Sequence, residues 1–216
     1  MRILQDPKAF WNYRAKTYDE SSGKTYAKAY DKTLKHILRY TNPTDCVLDF
    51  ACGTGLVSLR LAPHVQTITA IDISPEMIRA AVKKQQAAPS LSGAQLSFSV
   101  MDLFSPALSP DSFDVVLACN VLLYLKERTR ALSRIRTLLR PNGIFLSATD
   151  CLGDRFSREA LRKWYLSHTG QMPFVSFDSK RRLMKDIQAA GFQILETETL
   201  FQSPTNLFVA AKRTET

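Results

Sequence analysis

Apolar positions in the first forty residues recur at helical spacing. Phe10, Trp11 and Tyr18 anchor a predicted helix over residues 6–18, and Ser21-Ser22-Gly23 breaks it. Tyr26, Tyr30, Leu34, Ile37 and Leu38 form the buried stripe of a second helix, with Lys24, Lys28, Lys32, Lys35 and Arg39 on its other face. Asn42-Pro43-Thr44-Asp45 then turns the chain, and short apolar runs take over. Strands are predicted near 46–50, 67–72, 95–100, 113–119 and 143–149. Helices are predicted near 54–63, 75–87 and 125–140, with a plain loop over 88–93. This alternation implies a parallel sheet with helices on both faces. After Thr149 the pattern changes again. Phe156, Ala160, Leu161, Trp164 and Tyr165 mark a basic amphipathic helix, followed by the loop 168–173. A further helix over 178–190 ends at Gly191 as its C-cap. The runs 192–200 and 206–212 read as two final strands.

A chain of 216 residues with 45% hydrophobic and 23% charged residues fits one globular domain with a sizeable core. No apolar run is long enough to span a membrane, and the N-terminus lacks an apolar signal core. A cytoplasmic protein without membrane insertion is therefore expected. The four cysteines are Cys46, Cys52, Cys119 and Cys151, none in a C-x-x-C pair, so no metal is expected. Cys46 and Cys52 bracket one strand, roughly 20 Å apart, too far for a disulfide. The net charge of +9 lies outside residues 46–120, which carry four basic and six acidic residues. The excess is in the lysine stripe, in Lys126, Arg128, Arg130, Arg134, Arg136 and Arg140, and in the C-terminal third. Such stripes mark either solvated helix faces or an anionic partner such as nucleic acid.

Candidate chemistry begins at Val47-Leu48-Asp49-Phe50-Ala51-Cys52-Gly53-Thr54-Gly55. This is an apolar strand with an acid near its end and a small-residue turn, with a helix predicted from near Leu56. Ala51, Gly53 and Gly55 leave the turn's backbone open to a ligand, at the strand ends where open α/β sheets bind ligands. The spacing fails the dinucleotide G-x-G-x-x-G fingerprint, and no P-loop lysine follows Gly55. Asp72 ends the next strand about 20 residues on, where an acid takes ribose hydroxyls. Ser74-Pro75-Glu76-Met77 opens a helix with an N-cap, a proline at N1 and a first-turn acid. Asp102 ends the third strand, and Phe113–Leu125 supplies the fourth with its following loop. Arg140-Pro141-Asn142-Gly143 turns into the fifth.

Together these segments resemble class I S-adenosylmethionine (SAM) dependent methyltransferases of the small-molecule type, firmly over residues 46–149 and in outline beyond. The resemblance implies a Rossmann-like open sheet, seven-stranded and mostly parallel with one antiparallel strand, helices on both faces and an N-terminal helical cap. It implies one domain: a cap over 1–42, a SAM-binding core over 43–149, a substrate-side insertion over 150–177, and a C-terminal helix and hairpin over 178–216. Ala51 departs from the family's first glycine and is compatible with the motif if its φ is negative.

The resemblance also implies residue roles. Asp49 holds the methionine ammonium, Asp72 the ribose and Asp102 the adenine amino group. Ile73 and Leu103 sandwich the adenine. Ala51, Cys52, Gly53, Gly55 and Met77 belong to the cofactor site, and Cys119 and Asn120 approach the methionine end. Phe10-Trp11-Asn12-Tyr13-Arg14-Ala15-Lys16-Thr17-Tyr18-Asp19 is similar to the family's entry motif, which places Tyr18 and Arg14 over the methionine carboxylate. Because the sulfonium already activates the methyl group, positioning supplies much of the rate. Tyr124, at the acceptor side, and His168, in the insertion, are the catalytic candidates. Asp150 also faces the pocket in outline, while His36 and His64 read as structural.

The implied activity is methyl transfer from SAM to an acceptor, yielding S-adenosylhomocysteine. A small molecule, methylated at oxygen, nitrogen or carbon by a monomer or homodimer, is the leading reading. RNA or protein is the alternative that the basic surface favours, although Ala118-Cys119-Asn120-Val121 lacks an N-P-P-Y motif. A non-catalytic SAM-binding protein is the third. Residues 1–30 and 150–177 carry Trp11, Tyr18, Trp164, Tyr165 and Phe174. They are expected to pack together over the pocket, as a closing lid or as a static satellite core.

Overall fold

The computed structural model describes residues 5–23, 27–87 and 95–215. The expectations for Lys24, Tyr26 and the loop 88–93 lie outside the described residues. The sheet has seven strands: β1 (Cys46–Phe50), β2 (Thr67–Asp72), β3 (Gln95–Val100), β4 (Phe113–Cys119), β5 (Leu139–Asp150), β6 (Phe192–Gln202) and β7 (Thr205–Arg213). Their order is β3-β2-β1-β4-β5-β7-β6. β7 alone runs antiparallel to its neighbours β5 and β6. The order reverses between β1 and β4, which opens a crevice beyond their carboxyl ends.

Helices cover both faces. They are α1 (Pro7–Ala15), α2 (Ala27–Ile37), α3 (Ser58–Leu61), α4 (Pro75–Ala87), α5 (Arg128–Leu138), α6 (Arg158–His168) and α7 (Lys180–Ala189). On one face Leu132 and Ile135 of α5 and Leu183 and Ile187 of α7 pack on Leu48, Val116 and Phe145. On the other, Ile37 of α2 and Leu59 and Leu61 of α3 pack on Val47, Ile68 and Leu117. Strand residues alternate between the two layers because successive side chains point to opposite faces. In α2, Lys28, Lys32 and Lys35 are exposed as its periodicity predicts. Of the described residues of the expected stripe, only Ile37 is fully buried; Tyr30 and Leu34 are half-buried, and Thr33 and His36 are buried with Ile37.

Three boundaries differ from the sequence reading. Ser21-Ser22-Gly23 belongs to a π-helical turn over Asp19–Gly23 rather than to a simple break. The helix expected over 54–63 is shorter. Left-handed Gly53 and Gly55 prolong the turn to α3, and Pro63, lacking an N–H, falls in a 3-10 turn over Ala62–His64. β5 starts at Leu139, before the Pro-Asn-Gly turn, which forms a bulge opposite Phe113–Val115. The C-cap expectation holds: Gly191 has φ +85° and donates its N–H to Gln188.

Candidate functional site

The turn after β1 forms the crevice floor. Ala51, Gly53 and Gly55 have φ of 58°, 55° and 77°. The condition under which alanine fits this position, a negative φ, is therefore not met. The turn needs a left-handed residue there, and alanine carries the strain that glycine would avoid, about 1–2 kcal/mol. A Cβ added at Gly53 would meet nothing within 4 Å, so this backbone faces open space. A Cβ at Gly55 would lie 2.8 Å from the Phe98 ring, so that glycine serves close packing.

Asp49 is 1% exposed and accepts a 2.5 Å hydrogen bond from Ser58. Burial pushes its carboxyl up to about 7, against the Ser58 bond and with a further push from Asp72. A buried carboxylate with one neutral donor is suited to a cationic partner. Asp72 accepts N–H bonds from Gly53 at 3.0 Å and Ser74 at 2.9 Å. It therefore clamps the turn to the start of α4. Burial raises its pKa, against these backbone donors. Ile73 is half-buried beside it. Asp102 is exposed and accepts the Phe104 N–H at 2.8 Å. Leu103 and Met77 are buried to 1% and 2% exposure. Leu103 packs with Leu108 and Phe113 in the main core. The residue beyond the strand end turns inward and fills the layer under α5. Cys52 and Cys119 sit half-buried at the ends of paired strands, and burial raises both thiol pKa values, keeping them neutral.

The N-terminal cap closes on this crevice. Asn12 of α1 accepts from the Ser74 hydroxyl at 2.7 Å, at the start of α4. Asp19 accepts from Thr54 of the glycine turn at 2.6 Å and from Lys84 of α4 at 2.8 Å. The cap is thereby tied to both the glycine turn and α4. The Tyr18 hydroxyl lies 3.2 Å from that of Tyr30. Burial raises the pKa of Tyr18, with Tyr30 adding to it. Arg14 donates to Ser21 at 3.0 Å.

Beyond the crevice lies a cavity of about 270 Å³. Phe10, Trp11, Tyr18 and Tyr30 form its aromatic wall, and Asn120, the residue after β4, lines it as well. Its floor is polar. Lys163 of α6, 9% exposed, pairs with Asp150 at the end of β5 at 2.9 Å. Asn206 of β7 donates to Asp150 at 2.8 Å and to Asn120 at 3.0 Å. Asn120 has a left-handed φ of 55°, which asparagine tolerates. Tyr124 lines the same cavity, its ring 5.1 Å from that of Trp11 in an edge contact. Burial raises the pKa of Tyr124, while Lys163 opposes the rise. Burial lowers that of Lys163, but Tyr124 and Asp150 outweigh it, so the lysine stays charged.

His168 does not join this group. It is exposed at the end of α6, bonded to the Trp164 carbonyl at 2.9 Å and stacked on the Trp164 ring, so it is withdrawn as a catalytic candidate. Lys163, five positions earlier on the other side of the helix, is among the α6 residues that face inward. Sequence reasoning missed it because a lysine in a basic helix reads as solvated. It likewise missed Asn206 and Asn12, whose partners come from distant elements. His36 lies 3.3 Å from Glu196 and 3.0 Å from Glu198. These three are the one group among the described residues with the spacing of metal ligands, but Arg39 and Tyr40 already bond Glu196.

Several residues of the basic runs also have structural partners. Arg128 pairs with Asp178 and Asp186. Arg134 donates to the carbonyls of Leu103, Ser105 and Leu108, and Arg140 pairs with Asp114.

A family model described as a methyltransferase domain matches residues 48–145, the span from β1 to β5. Magnesium-protoporphyrin O-methyltransferase of Rhodobacter capsulatus is 37% identical over 128 residues, which are 53% of this chain and 54% of that protein. The chain spans about half the length of the first curated relatives it matches. The solved complex of DhpI with SAH superposes with a TM-score of 0.73 at 19% identity, over 99% of this chain and 98% of that one. The cyclase SpnF superposes with a TM-score of 0.67 at 21% identity, over 85% and 81%. With the glycine turn, the strand-end acids and the β3-β2-β1-β4-β5-β7-β6 sheet in place, residues 48–145 match a methyltransferase domain and the chain has the Rossmann-like fold of SAM-dependent methyltransferases.

Proposed function

We propose that the protein transfers a methyl group from SAM to a small-molecule acceptor bound in the cavity under α1, α2 and α6. The observation that carries this reading is the cavity itself. It is lined by Asn120 just after β4, is walled by aromatic rings, and has a charged pair, Asp150–Lys163, on its floor.

The crevice residues suit the cofactor. Asp49 takes the ammonium, the charge its buried carboxylate lacks. Asp72 faces the ribose from the end of β2, and Asp102 the adenine amino group. The open backbone at Gly53 leaves room for the ligand's body. Tyr18 and Arg14 close over the methionine carboxylate from the cap. When bound, SAM supplies a methyl group on a sulfonium, open to in-line displacement. The cap and α6 exclude water and hold the acceptor against the crevice. Oxygen is the acceptor atom we favour. A hydroxyl must lose its proton as it takes the methyl group, and Asp150 offers a carboxylate for that proton. Lys163 and Tyr124 then steady the charge that develops on the acceptor oxygen. The named activity of the Rhodobacter relative is in keeping with this choice.

Calorimetry is the first test. SAM and S-adenosylhomocysteine are expected to bind the folded protein, and NAD is not; absence of SAM binding removes the reading. Because the cyclase SpnF shares the fold, turnover needs its own measurement. Small hydroxylated aromatic compounds should be screened for acceptor-dependent release of S-adenosylhomocysteine, with Asp150→Asn expected to lower the rate about 100-fold or more, the usual worth of a general base.

A further inference from the structure

The outer side of α6 is not used by the site. Glu159, Arg162, Lys163 and Leu166 line the cavity, whereas Leu161, Trp164 and Tyr165 point away from it and are 52%, 46% and 55% exposed. Phe156, just before the helix, is 86% exposed. At 100° per residue, Leu161, Trp164 and Tyr165 share one outward stripe. Arg158 is exposed along its edge, next to Arg162, and the exposed Arg155 precedes the helix. Four large apolar side chains on one short segment exceed what a solvated helix face needs.

We propose that the outer face of α6 docks on a lipid surface that carries anionic headgroups. Two features select this occupant over a second protein. The apolar groups include a tryptophan and a tyrosine, whose rings combine an apolar body with a polar edge suited to the headgroup layer. The exposed charges beside them, Arg155 and Arg158, are basic, Arg162 being paired with Glu159, and the protein's net charge is +9, so the face complements an anionic bilayer. Docking would lay α6 in the plane of the interface. Its inner face, with Lys163 and Leu166, would then hold the cavity close to the headgroups, where an amphiphilic acceptor is concentrated. This last consequence rests on the methyl-transfer reading; the docking itself does not.

Sedimentation of the full chain with vesicles tests the proposal without reference to activity. Vesicles of equimolar phosphatidylglycerol and phosphatidylcholine should carry the protein down, and pure phosphatidylcholine should do so at least about tenfold less well. Added salt should weaken the binding, since it screens the arginines. Phe156→Ser with Trp164→Ser should lower the partition coefficient about tenfold or more, and neither residue lines the cavity. Trp164 is one of only two tryptophans, so its emission should shift to the blue on docking and in a Trp11→Phe variant should report alone. Circular dichroism and S-adenosylhomocysteine binding serve as checks that the variants are folded. No sedimentation of folded protein with anionic vesicles overturns the proposal, as does binding that the double substitution leaves unchanged. Concentration-dependent dimerisation abolished by the same substitutions, without lipid binding, would assign the face to a second copy of the chain and also overturn it.

Discussion

At the scale of single residues, two carboxylates carry testable consequences. The folded-state pKa of Asp49 is raised to about 7, so between the unfolded value and about 7 the folded chain holds a proton that the unfolded chain has lost. Stability from this group therefore falls as pH rises through that window. Binding of an ammonium ligand works in the opposite direction, because it needs the ionised form. S-adenosylhomocysteine affinity is expected to fall by up to about tenfold for each pH unit below 7, as followed by calorimetry. Asp49→Asn should flatten the profile and weaken binding throughout. Asp72 behaves differently from a free ligand-binding acid. Because it holds Gly53 and Ser74, Asp72→Ala should lose two backbone bonds to a charged group, each worth about 1.5–3 kcal/mol. The melting temperature and the ligand dissociation constant should both move. Asp72→Asn, which keeps one acceptor oxygen, should recover part of the stability but less of the affinity.

At the scale of elements, the cap and the insertion meet. Phe10 of α1 and Tyr124 pack against Leu123, Leu152, Ala160, Met172 and Val175, a small core separate from the two sheet layers. Asp19 and Asn12 tie the same cap to the glycine turn and α4. α1 packs along α4, and Asp19 and Asn12 bond the turn and the start of that helix, so a ligand held in the crevice is proposed to steady the cap on these elements. Hydrogen exchange with and without S-adenosylhomocysteine should show slowed exchange over residues 7–21 when the ligand is bound. Equal protection in both states would mean a fixed cap. Asp19→Ala, which frees Thr54 and Lys84 together, should speed exchange in the cap of the ligand-free protein and leave β4 and β5 unchanged.

At the scale of the whole molecule, Arg128 joins parts distant in the chain. Its side chain is 10% exposed and reaches Asp178 after the insertion and Asp186 on α7. Replacing a buried charge of this kind leaves its partners without compensation. Since Arg182 also pairs with Asp186, the lower part of the usual range applies, and Arg128→Met should cost about 3 kcal/mol. For a chain of this size the melting temperature should drop by roughly 6–12 °C, measured by calorimetry, and S-adenosylhomocysteine binding should be nearly retained. Loss of ligand binding at full stability would contradict this structural role.

Much of this architecture is legible in the sequence because it rests on local physics. Apolar runs of five to seven residues define β1 to β4, and the small residues after β1 mark a turn that only backbone can fill. Acids at strand ends need partners outside the sheet, which points to a ligand at its carboxyl edge. The sequence also marks the exposed lysine face of α2, since helical periodicity is a property of the chain alone. What it does not determine is which distant groups meet. Lys163 becomes a cavity residue only because β5 delivers Asp150 to it, and Asn206 only because β7 returns beside β5 in a particular register. Leu103 turns inward, His168 turns outward and Ala51 takes a left-handed φ for the same kind of reason. Side-chain direction and backbone strain are settled by packing between elements, and that packing exists only once the sheet has closed its two layers.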